Sequence, residues 1–496
     1  MTTSVPASHT HKPAASIAAA ASISSACIPP RASRTVAMDI VALADIMAVA
    51  VGALLPAFIH DGFGGAPTNW TIIAQSGIIG GFICYLWLRN TGMYEIKKIN
   101  DLPNNPTRLL VGVAIGAAAV IGIALAVVPN HWHITIYFVS WVSASFMAIL
   151  LTRGIARAVL ARMSATGRFK RSVAVFGAGT ISRRVHDHLT ASDTDINFVG
   201  VYDDRIDDER INAKGLEISG KLDQLLAEAY ADRIDDIVVA LPQSAEGRIG
   251  EIVRKLEQAP CNVHLVTHIS SDLIPSDRAL RVSQIGEIGL IDVKDKSLAD
   301  WALLVKRAED IIVASIGLFI TAPILLVAMI AIKLESQGPV IYRQRRRGLN
   351  RQIIDVLKLR TLSVTDDDDQ VRQVTIGDNR VTRVGRVLRH TSIDELPQLW
   401  NVLKGEMSIV GPRPHALVHD DQFGSMLDEY ANRHQVKPGI TGLAQVKGFR
   451  GETGTPDRIK NRVEQDIAYV RAWSLWLDIK IIAKTIVVVL TGQNAH

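Results

Sequence analysis

Four apolar stretches follow one another in the first third of the chain. They cover residues 36–59, 71–88, 109–128 and 134–151. Each is close to the roughly 20 residues that an α-helix needs to cross a bilayer. The pattern therefore predicts a four-helix transmembrane bundle over residues 35–163.

The charges between these stretches predict the orientation of the bundle. The segment 89–108 contains the basic residues Arg89, Lys97, Lys98 and Arg108, and more basic residues follow the fourth stretch. The segments 60–70 and 129–133 contain no Lys or Arg. Because basic loops stay in the cytoplasm, we expect both ends of the bundle there.

The start of the chain has a different composition. Residues 1–34 are rich in Ala, Ser, Thr and Pro, and they are less apolar than a signal peptide. We expect them to form a disordered cytoplasmic tail. Two acids, Asp39 and Asp45, stand near the start of the first apolar stretch, and we expect a structural role for this pair.

A fifth apolar stretch, 311–332, has basic residues on both sides. Lys306 and Arg307 precede it, and Lys333 and the basic segment 343–347 follow it. A single crossing would place one basic flank outside the cell, against the usual charge rule. Pro323 stands at its middle and removes a helix hydrogen bond. We therefore expect a helix-break-helix that enters the inner leaflet and returns, and the alternative is an ordinary kinked span.

Between these membrane segments the pattern changes to alternating strands and helices. An apolar strand runs into Gly177 and Gly179, a second strand ends in the acidic pair 203–204, and further strands are expected near 236–241 and 262–266. This predicts a Rossmann-like α/β domain over residues 170–290.

The dinucleotide fingerprint of this domain is incomplete, because Ser182 occupies the position of the third glycine. We interpret the domain as structural or regulatory and keep nucleotide binding as the alternative. A membrane-bound nucleotide-sugar dehydratase would also need a Tyr-x-x-x-Lys pair after the glycine turn. The only such pair, Tyr94 and Lys98, precedes the turn.

Composition narrows the classes of partner. The 496 residues are 48% hydrophobic, and the net charge of +5 favours anionic partners such as nucleotides and membrane surfaces. No nucleic-acid-binding motif is present in the sequence, so we expect no nucleic acid partner. The three cysteines are too few and too far apart for a disulfide framework or a zinc finger.

The strongest candidate for chemistry is an adjacent pair of acids, Asp394 and Glu395. Arg389 precedes the pair, Arg413 follows it between two prolines, and Ser392 suggests that the acids stand at the start of a helix. Carboxylates bind divalent metals or attack phosphorus, and guanidinium groups hold phosphate oxygens. We expect a phosphoryl-transfer site.

Further polar residues extend the candidate site. The candidates for phosphate binding are Arg389, Arg413, Gln344, Arg345, Arg347, Lys358, Arg360, Lys437 in a Gly/Pro-rich loop, and Arg450. For the basic segment 343–347, an anchor to anionic lipid is an equally good interpretation. The acidic run 366–369 is interpreted as a solvated loop rather than a metal site.

Residues 301–496 resemble the bacterial polyprenyl-phosphate sugar-1-phosphate transferases of the large membrane form. The resemblance implies a mixed α/β catalytic domain over residues 300–496 with a re-entrant helix at 311–332, in which Pro323 is structural. By motif match, Asp394 is the nucleophile that forms a covalent phosphosugar–aspartyl intermediate and a ligand of Mg²⁺, and Glu395 assists it. Ala322, Leu359, Thr361 and Lys447 depart from the usual family residues.

The resemblance also implies an activity and a place in the cell. It implies transfer of hexose-1-phosphate from a UDP-sugar to undecaprenyl phosphate at the start of exopolysaccharide assembly, with glucose favoured over galactose. The expected location is the bacterial inner membrane, with the catalytic domain facing the cytoplasm and a homo-oligomer possible. A non-catalytic membrane scaffold is the alternative from another class.

Overall fold

The computed structural model describes most of the chain. The described residues are 33–62, 70–95, 98–99, 106–127, 132–191, 196–205, 217–266, 281–285, 288–294, 296, 298–363, 380–449 and 456–491. The chain divides into two compact units, with a boundary between Lys170 and Arg171. The expected tail is almost wholly outside the described residues, and so are the acidic run 366–369 and Arg450.

The first unit contains the four expected membrane helices. They are α1 (Arg34–Gly62), α2 (Trp70–Asn90), α3 (Pro106–Val127) and α4 (Trp132–Ala165). By length and composition, the helices Arg34–Phe58, Trp70–Asn90, Ile136–Ala165 and Trp301–Glu335 could cross a membrane, within the described part of the chain. Pro106–Gly122 is apolar but shorter. Val49, Trp141 and Ile149 are among the side chains that form the core of the bundle.

Small residues allow two of these helices to approach others closely. A Cβ atom on Gly81 would lie 2.6 Å from the carbonyl oxygen of Ile46, and one on Gly116 would lie 2.3 Å from that of Gly80. Close backbone approach at small residues is typical of helix packing in membranes.

A buried ion pair joins α1 to α4. The Arg153 guanidinium contacts Asp45 at 2.7 Å between Nη2 and Oδ2, and both side chains are almost fully buried. The Tyr94 hydroxyl donates to the same carboxylate over 3.1 Å, and its ring lies under the guanidinium. Asp39, by contrast, is exposed.

The second unit begins with a seven-stranded sheet. Its strands are β1 (Arg171–Phe176), β2 (Ile196–Tyr202), β3 (Ile218–Gly220), β4 (Asp236–Val239), β5 (Asn262–Val266), β6 (Arg281–Ile285) and β7 (Ile288–Lys294). Their order is β3-β2-β1-β4-β5-β7-β6. The first five are parallel, as in a Rossmann-like sheet, and β6 and β7 add an antiparallel hairpin. The helices are α5 (Thr180–Ala191), α6 (Leu222–Tyr230) and α7 (Glu246–Leu256).

The glycine turn after β1 is stabilised by its own chain. Ser182, at the position of the missing third glycine, donates its hydroxyl to the carbonyl of Gly177. Asp203, at the end of β2, accepts a hydrogen bond of 2.8 Å from the backbone of Ala178 and an ion pair from Arg205. In dinucleotide enzymes an acid near this place binds the ribose. The contacts of Asp203 favour the structural interpretation of the domain.

The catalytic part is built from one long helix, two small sheets and shorter helices. Its elements are α8 (Trp301–Glu335), β8 (Ile341–Arg347), β9 (Ile353–Leu359), α9 (Arg383–His390), α10 (Gln398–Lys404), β10 (Ser408–Val410), α11 (Leu417–Met426), β11 (Gly439–Thr441), α12 (Leu443–Val446), α13 (Pro456–Arg471) and α14 (Leu475–Thr491). β8 and β9 form an antiparallel hairpin, and β10 pairs with β11 in parallel.

Helix α8 continues through Pro323, so the expected break in helical structure is wrong. The proline removes only the hydrogen bond to the carbonyl of Phe319, and the helical backbone persists on both sides. Near its start, Asp310 accepts hydrogen bonds from the Ser408 hydroxyl and the Ile409 backbone at 2.8 and 2.9 Å.

The other end of α8 contacts the same catalytic part. Glu335 accepts a hydrogen bond of 2.8 Å from the backbone of Arg383, and Leu325 and Ile332 pack in a cluster with Leu359 and Leu388. Between the two ends Phe319 is 85% exposed. Both ends of α8 are therefore attached to one compact domain.

The α/β domain contacts the catalytic part directly. The Arg351 guanidinium lies 5.0 Å from the centre of the Tyr230 ring, and the Gln435 amide donates to the carbonyl of Glu257 over 2.9 Å. These contacts join α6 and the end of α7 to the catalytic part.

Candidate active site

The two acids lie in a tight turn between α9 and α10. Thr382 caps α9 by accepting a hydrogen bond from the backbone of Gly385. Ser392 then adopts a left-handed conformation with φ of 56°, and residues Ile393–Glu395 form a single 3-10 turn. The helix that the acids were expected to start is this short 3-10 turn, with Ser392 at its N-terminal cap position, and α10 begins only after Pro397. A strained residue of this kind is common at functional sites.

Glu395 is held by two cations from distant elements. Arg413 contacts both of its carboxylate oxygens, with 3.1 Å between Nη1 and Oε2, and the Lys358 ammonium lies 2.9 Å from Oε1. Burial opposes ionisation of Glu395, but Arg413 and Lys358 outweigh it and hold the pKa of Glu395 well below its usual range. This carboxylate is therefore permanently charged and fixed in place.

Asp394 has a different environment although it is the adjacent residue. It is 8% exposed and forms no hydrogen bond or ion pair with any residue that the structure describes. Burial and the charge of Glu395 raise the pKa of Asp394 to about 6, while Lys358, Arg389 and Arg413 act in the opposite direction. A carboxylate with free oxygens thus lies beside one that is fully engaged.

Buried side chains fix the backbone at Arg413, in the corner formed by residues 412–414. Arg433 donates to the backbone carbonyl of Arg413 over 2.6 Å and forms a buried ion pair of 2.8 Å with Asp466 on α13. His415 lies in the same cluster, where burial and Arg433 hold its pKa well below the usual value. The uncharged imidazole adds no positive charge to this corner.

Strand β8 contributes Arg346, which the sequence reasoning did not select. Arg346 donates to the carbonyl of Pro414, and to the Gln344 side chain over 2.6 Å. Burial and the nearby Arg413 lower the pKa of Arg346 to about 10. The expected Arg345 is exposed, and Arg347 instead pairs with acids at the start of α11.

Strand geometry explains this difference. Lys358 lies opposite Tyr342 in the hairpin, so Gln344 and Arg346 share a face with Lys358. The odd-numbered residues of β8 point to the other face. Alternation along the strand was the signal that would have selected Arg346.

Two further candidates lie away from the acids. Arg360 donates to the carbonyl and hydroxyl oxygens of Ser336 at 2.8 and 2.9 Å, and so satisfies the C-terminal end of α8. The Lys437 ammonium lies beside Arg307 and Gly405, near the start of α8. The structure therefore brings Asp394, Glu395, Lys358 and Arg413 together but not Arg360 or Lys437.

A cavity of about 200 Å³ opens next to Glu395. Leu396, Leu399 and Ile440 give it largely apolar walls, and Gln445 and Thr485 add polar groups. The sequence reasoning missed Gln445, because it predicted only that the backbone of this loop comes close to a ligand.

The site fits a divalent cation that binds few protein ligands. In the described part of the chain no cluster of three His, Cys, Asp or Glu residues could enclose a metal ion. Mg²⁺ commonly keeps several waters and binds through one or two carboxylates together with substrate phosphates. The free oxygens of Asp394, close to Lys358 and Arg413, suit that mode of binding.

Comparison with known proteins agrees with this geometry. The chain is 38% identical over 361 residues to a UDP-glucose:undecaprenyl-phosphate glucose-1-phosphate transferase of Klebsiella pneumoniae, an alignment that covers 72% of this chain and 76% of that protein. Residues 301–492 match the model of the bacterial sugar transferase family. The chain belongs to the polyprenyl-phosphate sugar-1-phosphate transferase family. It is a membrane-associated enzyme that transfers substituted phosphate groups.

Two other relatives match different shares of the chain. An undecaprenyl-phosphate glucose phosphotransferase of Komagataeibacter xylinus is 33% identical over 436 residues, covering 86% of this chain and 78% of that protein. An exopolysaccharide production protein of Rhizobium leguminosarum bv. phaseoli is 44% identical over 194 residues, which are 38% of this chain but 96% of that protein. Residues 89–267 match a CoA-binding domain model.

Proposed function

We propose that this transferase moves hexose-1-phosphate from a UDP-sugar to undecaprenyl phosphate and releases UMP. The observation that carries the proposal is the pairing of an unengaged Asp394 with a locked Glu395. The printed names of the relatives support the substrates. They also favour glucose over galactose.

Two displacements at one phosphorus would accomplish the reaction. Asp394 attacks the sugar-bearing β-phosphorus of the UDP-sugar, the bond to the bridging oxygen breaks, and UMP leaves. A phosphate oxygen of undecaprenyl phosphate then attacks the same phosphorus and releases the Asp394 carboxylate. Arg413 and Arg346 offset the negative charge on phosphate, and Glu395 keeps Arg413 and Lys358 in position.

Mg²⁺ is the cofactor that we propose for this site. Asp394 would hold it, and the bound ion would neutralise charge on the diphosphate. Arg413 and Lys358 remain engaged with Glu395 and position the phosphates beside the ion.

The attachments of α8 support one arrangement in the membrane. A straight helix of 35 residues is about 50 Å long, enough to cross a bilayer. A crossing would separate its two ends, yet both contact the catalytic domain. We propose that α8 bends at Pro323 without losing its helical structure, and so enters and leaves one leaflet of the bacterial inner membrane. The catalytic domain would lie on the cytoplasmic side, where the basic flanks belong.

A non-catalytic scaffold remains the alternative function. A scaffold would not need an unengaged buried acid, which is costly to keep in a folded protein. The environment of Asp394 therefore favours the enzyme.

The decisive experiment compares D394N with wild-type protein and with D421N, which alters an exposed acid. Purified protein is incubated with undecaprenyl phosphate and either UDP-glucose or UDP-galactose, and UMP release and labelled lipid are measured. D394N should lose transfer and D421N should keep it. Mass spectrometry after UDP-glucose alone should find a hexose phosphate on the peptide containing Asp394. Turnover of D394N above about a tenth of wild type would show that Asp394 is not the nucleophile.

A further inference from the structure

One buried arginine near the site has no partner among the residues that the structure describes. Arg462 on α13 is 6% exposed, and its Nε is fully buried. It forms no hydrogen bond or ion pair with the residues that the structure describes. A buried charge is costly unless it is paired, so a cation placed in this way calls for an explanation.

The surroundings of Arg462 connect it to the phosphate-binding corner. Asp466 is one turn further along α13, but its carboxylate already pairs with Arg433, which holds the carbonyl of Arg413. Burial, together with the charges of Arg433 and Arg413, lowers the pKa of Arg462 to about 10, while Asp466 acts in the opposite direction. Arg462 therefore stays charged at neutral pH, within electrostatic reach of Arg413.

Near Arg413, the buried arginines outnumber the carboxylates that pair with them. Arg413 is matched by Glu395, and Arg433 is matched by Asp466. No carboxylate of the described chain is left for Arg462. Within the same corner, Arg346 also has a buried Nε without a partner. Guanidinium groups within electrostatic reach of one another suit an anion with several oxygens.

We propose that Arg462 is an additional phosphate-binding residue, which contacts the substrate phosphate that Arg413 holds. The inference rests on the proposed function, because it takes the ligand to be the diphosphate of a UDP-sugar or the phosphate of undecaprenyl phosphate. Both ligands present the same chemistry, a phosphate with exposed anionic oxygens. A purely structural arginine would have a carboxylate or carbonyl partner, as Arg433 and Arg360 have.

The proposal predicts opposite effects on stability and binding. Replacing an unpaired buried cation by an apolar side chain of similar length should leave the ligand-free protein as stable or more stable. The same replacement should weaken ligand binding by roughly tenfold or more, which is the usual effect of losing a charged hydrogen bond. A structural arginine would give the reverse, with stability lost and binding kept.

The test uses the full-length protein in lipid nanodiscs and compares R462M with R458M. Arg458 is one turn earlier on α13 and exposed, so it is a matched control. Thermal unfolding is measured without ligand and across titrations of UDP and, separately, of undecaprenyl phosphate. Weakened UDP binding assigns Arg462 to the nucleotide diphosphate, and weakened lipid binding assigns it to the lipid phosphate. If R462M does not fold, R462Q provides the same comparison.

Unchanged binding of both ligands by R462M, or equal losses in R462M and R458M, would overturn the proposal. Failure of the proposed function has a different signature. Wild-type protein would then not transfer sugar phosphate in a turnover assay, whereas the binding comparison between the variants would still decide the role of Arg462.

Discussion

At the scale of single residues, two adjacent acids acquire different chemistry from their surroundings. Glu395 is fixed and charged by Lys358 and Arg413, while Asp394 keeps free oxygens and a raised pKa. Dividing roles between neighbouring carboxyl groups in this way is a recurring device in active sites. The difference depends on cations that come from β9 and from the corner after β10.

Arg360 should contribute to stability and not to chemistry. Its hydrogen bonds to Ser336 satisfy the last turn of α8, so R360M should destabilise the protein by about 1.5–3 kcal/mol. Turnover per folded molecule should stay within a few-fold of wild type. Thermal unfolding and UMP release measure the two effects, with the exposed Arg343 replaced in R343M as the control. A large loss of turnover at unchanged stability would restore Arg360 to the phosphate-binding residues.

His264 should make the stability of the α/β domain depend on pH. Burial alone would lower its pKa, but the flanking Asp236 and Asp292 raise it above the usual value. Protonated His264 therefore contributes its full stabilisation below a pH of about 6.5, the pKa of histidine in the unfolded chain. This contribution is lost as the pH rises through the higher pKa of His264 in the folded protein. H264Q should be more destabilising at pH 6 than at pH 9, as measured by hydrogen exchange in β4 and β5. H390Q, at an exposed histidine, should show no such difference.

The acid pair, Lys358 and Arg413 were selected from the sequence and lie together in the structure, whereas Arg345 and Arg347 lie on the other face of β8. Arg346 was passed over for Arg345 and Arg347, although strand alternation places Arg346 with Lys358. Lys437 stands in a motif-like loop, but its side chain extends toward α8. Spacing identifies which residues are close in the chain, and side-chain direction requires the packed structure.

At the scale of elements, the ion pair between α1 and α4 should fix the packing of the bundle. D45N would leave Arg153 buried without its carboxylate and should cost about 3–5 kcal/mol, seen as a lower unfolding temperature in detergent. The double variant D45L/R153L should cost less than D45N. D39N, at an exposed acid, is the control. If D45N left the unfolding temperature unchanged, the pair would not hold these helices together.

Elements with a strong hydrophobic period were predictable and short polar ones were not. The membrane helices and strands β1, β2, β4 and β5 follow the apolar stretches closely. Strand β3 has three residues, and the sequence of β6 is largely polar, so neither was expected. Pro323 had the opposite effect: it predicted a break that is absent, because a long apolar helix tolerates the loss of one hydrogen bond.

At the scale of the whole molecule, the catalytic part should work without the α/β domain. The site residues all follow residue 300, and residues 301–492 alone match the model of the bacterial sugar transferase family. A chain beginning at residue 295 should transfer sugar phosphate without added dinucleotide, with lower stability because the contacts of Arg351 and Gln435 are lost. In the full chain, G179A should leave turnover within a few-fold. Loss of transfer by a folded truncation would place part of the catalyst in the α/β domain.

The route of α8 through the membrane can be tested at the C-terminus. A cysteine added after His496, with Cys27, Cys84 and Cys261 replaced, should be shielded from impermeant thiol reagents in intact cells. Shielding follows because both ends of α8 contact one domain, which can lie on only one side of the membrane. Labelling from outside would instead mean that α8 is a fifth crossing.

The proposed re-entrant course of α8 also limits how the enzyme meets its proposed lipid substrate. A domain joined to a bilayer by one flexible linker can tilt and lift, but a domain fixed at both ends of a buried helix keeps a constant height above the surface. Its encounters with undecaprenyl phosphate then occur by lateral diffusion in two dimensions. The rate should follow the mole fraction of the acceptor in the bilayer, and diluting the vesicles at constant lipid composition should leave it unchanged.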